Sequence, residues 1–326
     1  MKQEKRIGRR FGDIKEYIDK SFDGDIHAKR VDSLANATIG VMTSASLAIS
    51  TIGHSLAQAR GLLTKHAVKQ VDRLLSNRSI DPWVMFAHWV PQVVGARTDI
   101  VVAMDWTEFD RDGQSTLVFS LVTRHGRATP LLWLTMLKDE LKDQRNEIED
   151  RCLDRLSEIL PAGVRVTILA DRGFGDHKLF DYLKEIGFDY VIRFRENIHV
   201  TDECGETKPA SEWVGKGGRA RMIRKARITA AAQCPVGAVV CVHAKDMKDS
   251  WCMATSFEAK SSREVIDLYA KRWTIEPGFR DTKDLRFGMG LGATRIGEPM
   301  RRDRLLLISA FAMVLLTMLG AAGESL

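Results

Sequence analysis

The distribution of hydrophobic and polar residues changes twice along the chain, and the first part has a helical pattern. Small and apolar residues fill a stretch from Ala35 to Gly61, and an amphipathic, basic stretch follows at residues 62–77. Apolar side chains recur there at helical spacing. We therefore predict a helical N-terminal region over residues 1–95.

From Asp99 onward, short runs of β-branched and apolar residues alternate with helical patterns. The predicted strands lie at 100–109, 115–124, 127–137, 165–174 and 189–195, and the predicted helices at 146–160 and 177–187. Strands that alternate with helices are typical of a sheet with helices on its faces. The predicted fold class is α/β, with a mixed sheet flanked by helices.

A second change occurs near residue 195. Short β-type runs separated by glycine, proline and lysine occupy residues 195–258, which we interpret as a β-rich insertion. Residues 259–326 return to helical patterns, with an N-cap at Ser261 or Ser262 and a kink expected at Pro277. Residues 96–194 and 259–326 would then form one core that the insertion interrupts.

One segment of the last part is almost wholly apolar, from Leu305 to Leu319. It is shorter than the about 20 residues that cross a bilayer. We predict a buried core helix and no membrane contact, with a membrane-spanning helix as the alternative.

The composition is that of a globular protein with a basic charge balance. The 326 residues are 44% hydrophobic and 28% charged, which excludes disordered and fibrous classes. A formal net charge of +6 favours a polyanionic partner without identifying it. The five cysteines form no C-x-x-C pair. Because the N-terminal residues also lack the apolar stretch of a secretory signal, we predict reduced thiols and a cytoplasmic location.

Three carboxylates stand out by their context. Asp105 and Asp171 end apolar strands, and Glu276 lies in a predicted helix. A buried carboxylate is costly unless a cation or hydrogen bonds compensate it, and carboxylate oxygens suit Mg²⁺ or Mn²⁺. The alternative is structural: Asp105 caps a turn and Asp171 pairs with Arg172.

The helix that contains Glu276 carries a pattern of polar residues. Tyr269, Arg272, Glu276 and Lys283 follow the spacing Y-x2-R-x3-E-x6-K, which places all four near one helix face. Such a stripe suits a metal site beside bound phosphate. A solvated face with a Glu and Arg pair explains the same spacing.

Together, these motifs resemble those of the bacterial cut-and-paste transposases of insertion-sequence family four, which include the transposase of the fifth-numbered composite transposon. That family joins the Y-x2-R-x3-E-x6-K helix to two upstream aspartates in DWT-like and DRGF-like contexts, and all six positions are present here. The resemblance covers roughly residues 101–319. It implies a ribonuclease H-like catalytic core with a β-rich insertion between the second aspartate and the glutamate.

The resemblance also implies roles for the individual residues. Asp105, Asp171 and Glu276 would bind a pair of Mg²⁺ or Mn²⁺ ions, and the tyrosine, arginine and lysine of the helix would contact DNA near the cleaved end. Trp251 would stack on a flipped base, for which a core tryptophan is the alternative. We expect Trp273 to lie in the core.

Basic residues form two further candidate DNA surfaces. Within the insertion there is a run without an acid, comprising Lys216, Arg219, Arg221, Arg224, Lys225 and Arg227. Arg219, Arg221, Lys225 and Arg227 would share one strand face, either tracking phosphates or blocking strand aggregation. In the N-terminal region, the basic stretch of Lys65, His66, Lys69 and Arg73 fits recognition of DNA ends or an amphipathic packing helix.

The sequence therefore predicts a transposase that binds the double-stranded inverted-repeat ends of its element, pairs them as a homodimer, cuts them and joins the 3′-hydroxyl to target DNA. A hairpin intermediate during excision is what the resemblance implies. The bacterial nucleoid would be its place of action. The rival interpretations are a ribonuclease H-like nuclease without strand transfer, and an inactive or domesticated transposase that only binds DNA.

Overall fold

The computed structural model describes residues 2–22, 24–124 and 126–324, and it begins with five helices. They are α1 (Lys2–Ser21), α2 (Ala28–Ser44), α3 (Ile49–Arg60), α4 (Thr64–Ser76) and α5 (Pro82–Val94). Within residues 2–22 and 24–94 the structure contains no strand, as predicted.

Glycine permits close packing of the N-terminal helices. At the crossing of α3 and α4, a Cβ atom on Gly53 would lie only 2.6 Å from the Cα atom of Val68. A larger residue there would therefore force the helices apart. The stretch of small residues found in the sequence thus serves helix packing.

The core sheet begins with an antiparallel meander followed by parallel strands. Its first five strands are β1 (Asp99–Phe109), β2 (Gln114–Val122), β3 (Ala128–Leu137), β4 (Arg165–Ala170) and β5 (Asp189–Phe194). β1 pairs with β2 in antiparallel fashion and with β4 in parallel, and β4 pairs with β5 in parallel. Helices α6 (Arg145–Ile159) and α7 (His177–Glu185) connect the later strands. This is the ribonuclease H-like arrangement.

The β-rich insertion adds seven short strands. They are β6 (His199–Thr201), β7 (Thr207–Pro209), β8 (Arg221–Arg224), β9 (Arg227–Ile228), β10 (Cys234–Pro235), β11 (Ala238–Val242) and β12 (Trp251–Thr255). Three of them extend the core sheet, whose order is β3-β2-β1-β4-β5-β12-β11-β8, and the other four form a small second sheet. The insertion is therefore partly continuous with the core.

The C-terminal helices are α8 (Ser262–Ala270), α9 (Ile275–Lys283) and α10 (Pro299–Glu324). Ser261 caps α8 through a capping box with Glu264. A 3-10 turn, Lys271–Thr274, joins α8 to α9. Pro277 lies in the first turn of α9, where a missing N–H costs little. The helix is interrupted by the 3-10 turn before the proline, and not by the kink expected at Pro277.

By length and composition, α10 could cross a membrane, and so could the bent pair of α2 and α3 together. Yet Leu305, Ile308 and Phe311 are fully buried, and the Phe311 ring packs edge-on against Trp89 of α5 at 5.0 Å. The prediction of a core helix is confirmed for this part of α10. The later residues Leu316 and Leu319 are exposed.

The first turn of α10 buries charged side chains that the sequence analysis did not single out. The Arg302 guanidinium is fully buried, pairs with Asp112 at 2.5 Å and donates to the Gln114 side chain. Asp303 accepts hydrogen bonds from Thr135 of β3, and burial raises its pKa to about 7. These contacts fix α10 to the core sheet.

Arg304 fixes the same helix to the N-terminal region. It is 4% exposed and donates to the carbonyl oxygens of Leu75 and Ile80 at 2.9 and 2.6 Å. Arg304→Ala should lower the free energy of unfolding by about 3 kcal/mol, because two buried carbonyls lose their donors. Urea unfolding followed by circular dichroism measures this loss.

Arg301→Ala is the matched control. Arg301 pairs with Asp72, whose side chain is 56% exposed, so its loss should cost less than about 1 kcal/mol. Equal losses in the two variants would show that the Arg304 bonds do not hold the helices to α10.

Candidate active site

Parallel pairing of β1 with β4 brings two of the predicted carboxylates together. Asp171 directly follows the end of β4, but the prediction that Asp105 ends its strand is wrong, because pairing with β2 continues β1 to Phe109. Met104 pairs with Ala170 in the parallel register, so Asp105 and the residue that follows β4, Asp171, lie side by side. Side chains alternate along β1, which places Asp105 on the same face as Ala103, beneath α9. This face of the sheet is called the front face below.

Asp171 is held by the turn that follows its strand. Its carboxylate accepts a hydrogen bond from the Gly173 backbone at 2.7 Å and caps the 3-10 turn Arg172–Phe174. Arg172 pairs with Asp249 of the β11–β12 loop at 3.5 Å. The suggested pair between Asp171 and Arg172 is therefore not formed.

Arg272 contacts two of the three predicted carboxylates. Its guanidinium contacts Asp105 at 3.3 Å and Glu276 at 3.0 Å, and its side chain is only 10% exposed. Glu276, at the start of α9, is 54% exposed. Residues from β1 and α9 that are far apart in sequence thus meet on the front face.

The negative charges at this site are incompletely balanced. Burial, together with the nearby charge of Asp171, raises the pKa of Asp105 to about 6, although the Arg272 guanidinium acts to lower it. Glu276 adds to the increase. A site that gathers carboxylates in this way favours a bound cation.

The residues present fit a divalent metal ion. Among the described residues, no three acidic, histidine or cysteine side chains already stand in liganding positions. Arg272 bridges two of the carboxylates instead. The donors are all carboxylate oxygens, which Mg²⁺ and Mn²⁺ prefer. Asp105, Asp171 and Glu276 are therefore the residues that could hold such an ion.

The signature tyrosine and lysine lie in different surroundings. Tyr269 is 3% exposed, and burial raises the pKa of its hydroxyl. Lys283 turns toward β1, where its ammonium donates to the Thr107 hydroxyl at 3.1 Å and the Glu108 carbonyl at 2.5 Å. Burial lowers the pKa of Lys283. The predicted stripe is thus split between the cluster around Arg272 and the far end of α9.

Three aromatic rings form a cluster next to Arg272. Trp251 of β12 packs against Tyr269 at 5.2 Å and against Trp273 at 5.0 Å. Trp251 is 9% exposed, whereas Trp273 is 46% exposed. The expectation that Trp273 lies in the core is wrong, because the 3-10 turn directs its ring outward.

The prediction that the basic residues of the insertion share one strand face is wrong. Arg219 precedes β8, Arg221 lies in it, and Arg227 lies in β9 of the second sheet. Lys225 separates the strands with a left-handed φ of 46°. This conformation breaks the strand, although all four side chains remain exposed.

Arg193 is a candidate site residue that the sequence analysis missed. It lies on β5 opposite Met253 of β12, and its side chain reaches the Ser250 carbonyl at 3.3 Å. Ala103 on the front face pairs with Leu169, which pairs with Val191, so Arg193, two residues further along β5, lies on the same face. Arg193 is a polar residue near the end of an apolar strand, the same signal that marked Asp105 and Asp171.

Trp106 ties the other face of β1 to α6. Its indole N–H donates to Glu149 at 2.7 Å, and the Arg145 guanidinium lies over its ring. Glu149 is 8% exposed, and burial raises its pKa to about 7. A buried carboxyl group thus anchors the residue next to Asp105.

This raised pKa predicts a pH dependence of stability. The folded-state value of about 7 exceeds the ordinary 4.5, so the folded protein binds the proton more tightly than the unfolded chain does. Glu149 therefore costs stability as pH rises from about 4.5 to about 7. Glu149→Gln should remove this loss, which is on the order of 3 kcal/mol, while keeping an acceptor for Trp106.

Urea unfolding at about pH 5 and about pH 8 tests this prediction. The variant should gain stability over the parent protein at the higher pH. Glu147→Gln, at an exposed position of the same helix, is the control. Parallel pH curves for parent and Glu149→Gln would contradict the prediction.

Comparison with known proteins identifies the family. The family model described as the transposase DDE domain matches residues 136–315, more than half of the chain. The match includes Asp171 and Glu276 and begins after Asp105. No curated protein matches the sequence significantly. With a ribonuclease H-like sheet and acidic residues gathered on its front face, the chain belongs to the transposase DDE domain family.

Proposed function

We propose that this protein is a cut-and-paste transposase of the insertion-sequence family four type, with Asp105, Asp171 and Glu276 as its catalytic carboxylates. The observation that carries the proposal is that Arg272 contacts both Asp105 and Glu276 while Asp171 lies beside Asp105, in a chain of the transposase family. The substrate would be the inverted-repeat ends of the element, followed by target DNA. We place this activity in the bacterial cytoplasm, at the nucleoid.

The three carboxylates would hold Mg²⁺ or Mn²⁺, with two ions in the site. When bound, the ions would supply Lewis-acid activation of water or a 3′-hydroxyl and would stabilise the leaving oxygen. The carboxylates would position the reacting groups. Phosphoryl transfer depends mainly on such positioning and on electrostatics.

Cationic and aromatic side chains on the same face would orient the DNA. Arg272 and Arg193 are guanidinium groups suited to phosphate contacts, and each has a buried Nε without a hydrogen-bond partner. Trp273 offers an exposed ring that suits stacking on an unpaired base, and the buried Trp251, for which that role was expected, packs against it. Tyr269 supports the Trp251 ring from within.

The chain would divide these tasks among its parts. Residues 1–95 would recognise the DNA ends, residues 96–194 and 259–326 would catalyse the reaction, and residues 195–258 would add DNA contacts. Lys65, Lys69 and Arg73 lie along the exposed face of α4, as an end-binding helix requires. Pairing of two ends would require a homodimer on DNA.

Alanine substitution tests the catalytic proposal. Asp105→Ala, Asp171→Ala and Glu276→Ala should each reduce metal-dependent cleavage and strand transfer by at least about a hundred-fold, because each removes a charged oxygen ligand. Binding to the inverted-repeat ends should persist. Gel assays of cleavage and joining, with DNA that carries the repeats flanking the gene, measure both effects.

Asp267→Ala serves as the control, since Asp267 is exposed on α8 and pairs with Arg263. Strand transfer retained in any of the three variants would overturn the assignment. Specific binding by the parent protein without cutting would instead support an inactive, DNA-binding transposase. Cutting of branched DNA without a preferred repeat would support a nuclease.

The basic run predicts a change in salt dependence. In the described part of the chain, Arg219 and Arg227 take part in no ion pair, whereas Lys225 pairs with Glu203. Reversing both arginines to glutamate should reduce the slope of log affinity against log salt by about 1 for each lost phosphate contact. Arg165→Glu, near the opposite end of β4 from Asp171, is the control. An unchanged slope would contradict the proposal that Arg219 and Arg227 contact DNA phosphates.

A further inference from the structure

The loop after α9 exposes two large apolar side chains. Leu285 and Phe287 are 74% and 77% exposed, the highest values among the large hydrophobic residues in the described ranges. They flank Arg286, which is also exposed. Isolated apolar residues are common on protein surfaces, but two such residues on one short loop indicate a contact surface. Residues 284–290 are called the 284–290 loop below.

Hydrogen bonds fix the backbone of this loop. The Asp284 carboxylate accepts from the backbone N–H groups of Arg286 and Phe287 at 2.8 and 2.6 Å. The Gly290 N–H donates to the Asp284 carbonyl at 2.8 Å, which closes the loop. The Met289 carbonyl accepts from Leu47, at the start of the segment that leads into α3, at 2.8 Å. Leu285 and Phe287 are therefore presented from a held backbone.

Gly288 permits the close approach that holds the loop against α9. A Cβ atom at this position would lie 2.5 Å from the carbonyl oxygens of both Arg280 and Asp281. Only glycine fits this spacing without a backbone shift. The exposure of the apolar pair thus belongs to a packed structure.

The surface around the loop is basic. Arg280, Arg286 and Arg295 are exposed, and within the ranges described none of them forms an ion pair. Leu285 lines a groove with Lys69 and Asp72 of α4. Phe287 lines a larger groove whose charged residues include Arg124, Lys271 and Asp281 and whose apolar residues include Leu316 and Met318 of α10. The 284–290 loop therefore lies between α4 and the catalytic helix.

Apolar side chains within a basic surface suit DNA better than a second copy of this chain. Proteins that bend DNA insert Phe or Leu between base steps while nearby cations neutralise the phosphates. A second copy would bring the same arginines and a net charge of +6 against this surface. The charge around the loop thus favours a polyanionic partner.

The distance of the loop from Glu276 indicates which part of the DNA the loop would reach. Glu276 lies in the first turn of α9, and the loop begins directly after the last residue, Lys283. Eight residues of helix span roughly 12 Å. This equals about three to four base-pair steps of B-DNA at 3.4 Å each.

We infer that Leu285 and Phe287 form a wedge that inserts into the DNA duplex and unstacks a base step within about four steps of the phosphate cleaved at Glu276. This inference rests on the proposed function and adds a contact outside the carboxylates and the Trp251 cluster. The wedge stabilises a bend between the DNA held by the N-terminal helices and the DNA in the active site.

The test uses the full chain without divalent metal, so that binding is measured apart from cleavage. The probe is a duplex of the inverted repeat that flanks the gene, with 2-aminopurine placed at successive positions. The parent protein should raise 2-aminopurine fluorescence at a step within about four of the cleavage site. The double variant Leu285→Ala and Phe287→Ala should lose this increase and bind roughly ten-fold more weakly.

Val84→Ala is the matched control, because Val84 is 61% exposed on α5, away from the loop. It should behave as the parent protein does. A fluorescence increase that survives in the double variant but disappears in Trp273→Ala would overturn the inference. So would a double variant that binds and unstacks DNA normally but shows weaker self-association in sedimentation without DNA, since the surface would then bind a second copy. If the parent protein does not bind the duplex, the proposed function itself fails.

Discussion

Mutual repulsion among the carboxylates on the front face is the constraint on which the rest of the site depends. Parallel pairing of β1 and β4 forces Asp105 and Asp171 together, and α9 adds Glu276. The Arg272 guanidinium offsets part of this charge, yet the pKa of Asp105 remains raised. The 3-10 turn between α8 and α9 contributes Arg272 to the carboxylates and Trp273 to the surface. One local irregularity therefore provides both charge balance and an exposed ring.

Much of the fold could be predicted from the sequence, because its strands differ clearly from its helices in pattern. The runs that contain Asp105 and Asp171 are mostly β-branched and apolar up to the aspartate, which marks the strand and the polar position, although β1 continues past Asp105 to Phe109. The carboxyl ends of neighbouring parallel strands meet at one sheet edge, so the approach of these two residues follows from topology. The N-cap predicted at Ser261 or Ser262 likewise marked the start of α8, and the structure places the cap at Ser261.

Other features depend on contacts between distant residues, which no local pattern encodes. Pairing of β12 with β5 makes the insertion part of the core sheet, although the runs look like a separate unit in sequence. The basic run appeared to be one strand because positive φ at Lys225 is not evident from side-chain types. Arg302 and Asp303 resemble surface charges, yet partners on β2 and β3 allow their burial.

The position of α10 affects the order in which the molecule can fold during synthesis. Phe311 completes the core around Phe22 and Trp89, and Arg304 donates to one carbonyl in the last turn of α4 and to another just after it. The N-terminal helices emerge first from the ribosome but lack these partners until nearly the whole chain has been made. The part of their packing that involves α10 is therefore completed only after Glu276 has been made. A nascent chain would thus carry an incompletely packed N-terminal region until all three carboxylates of the front face have been made.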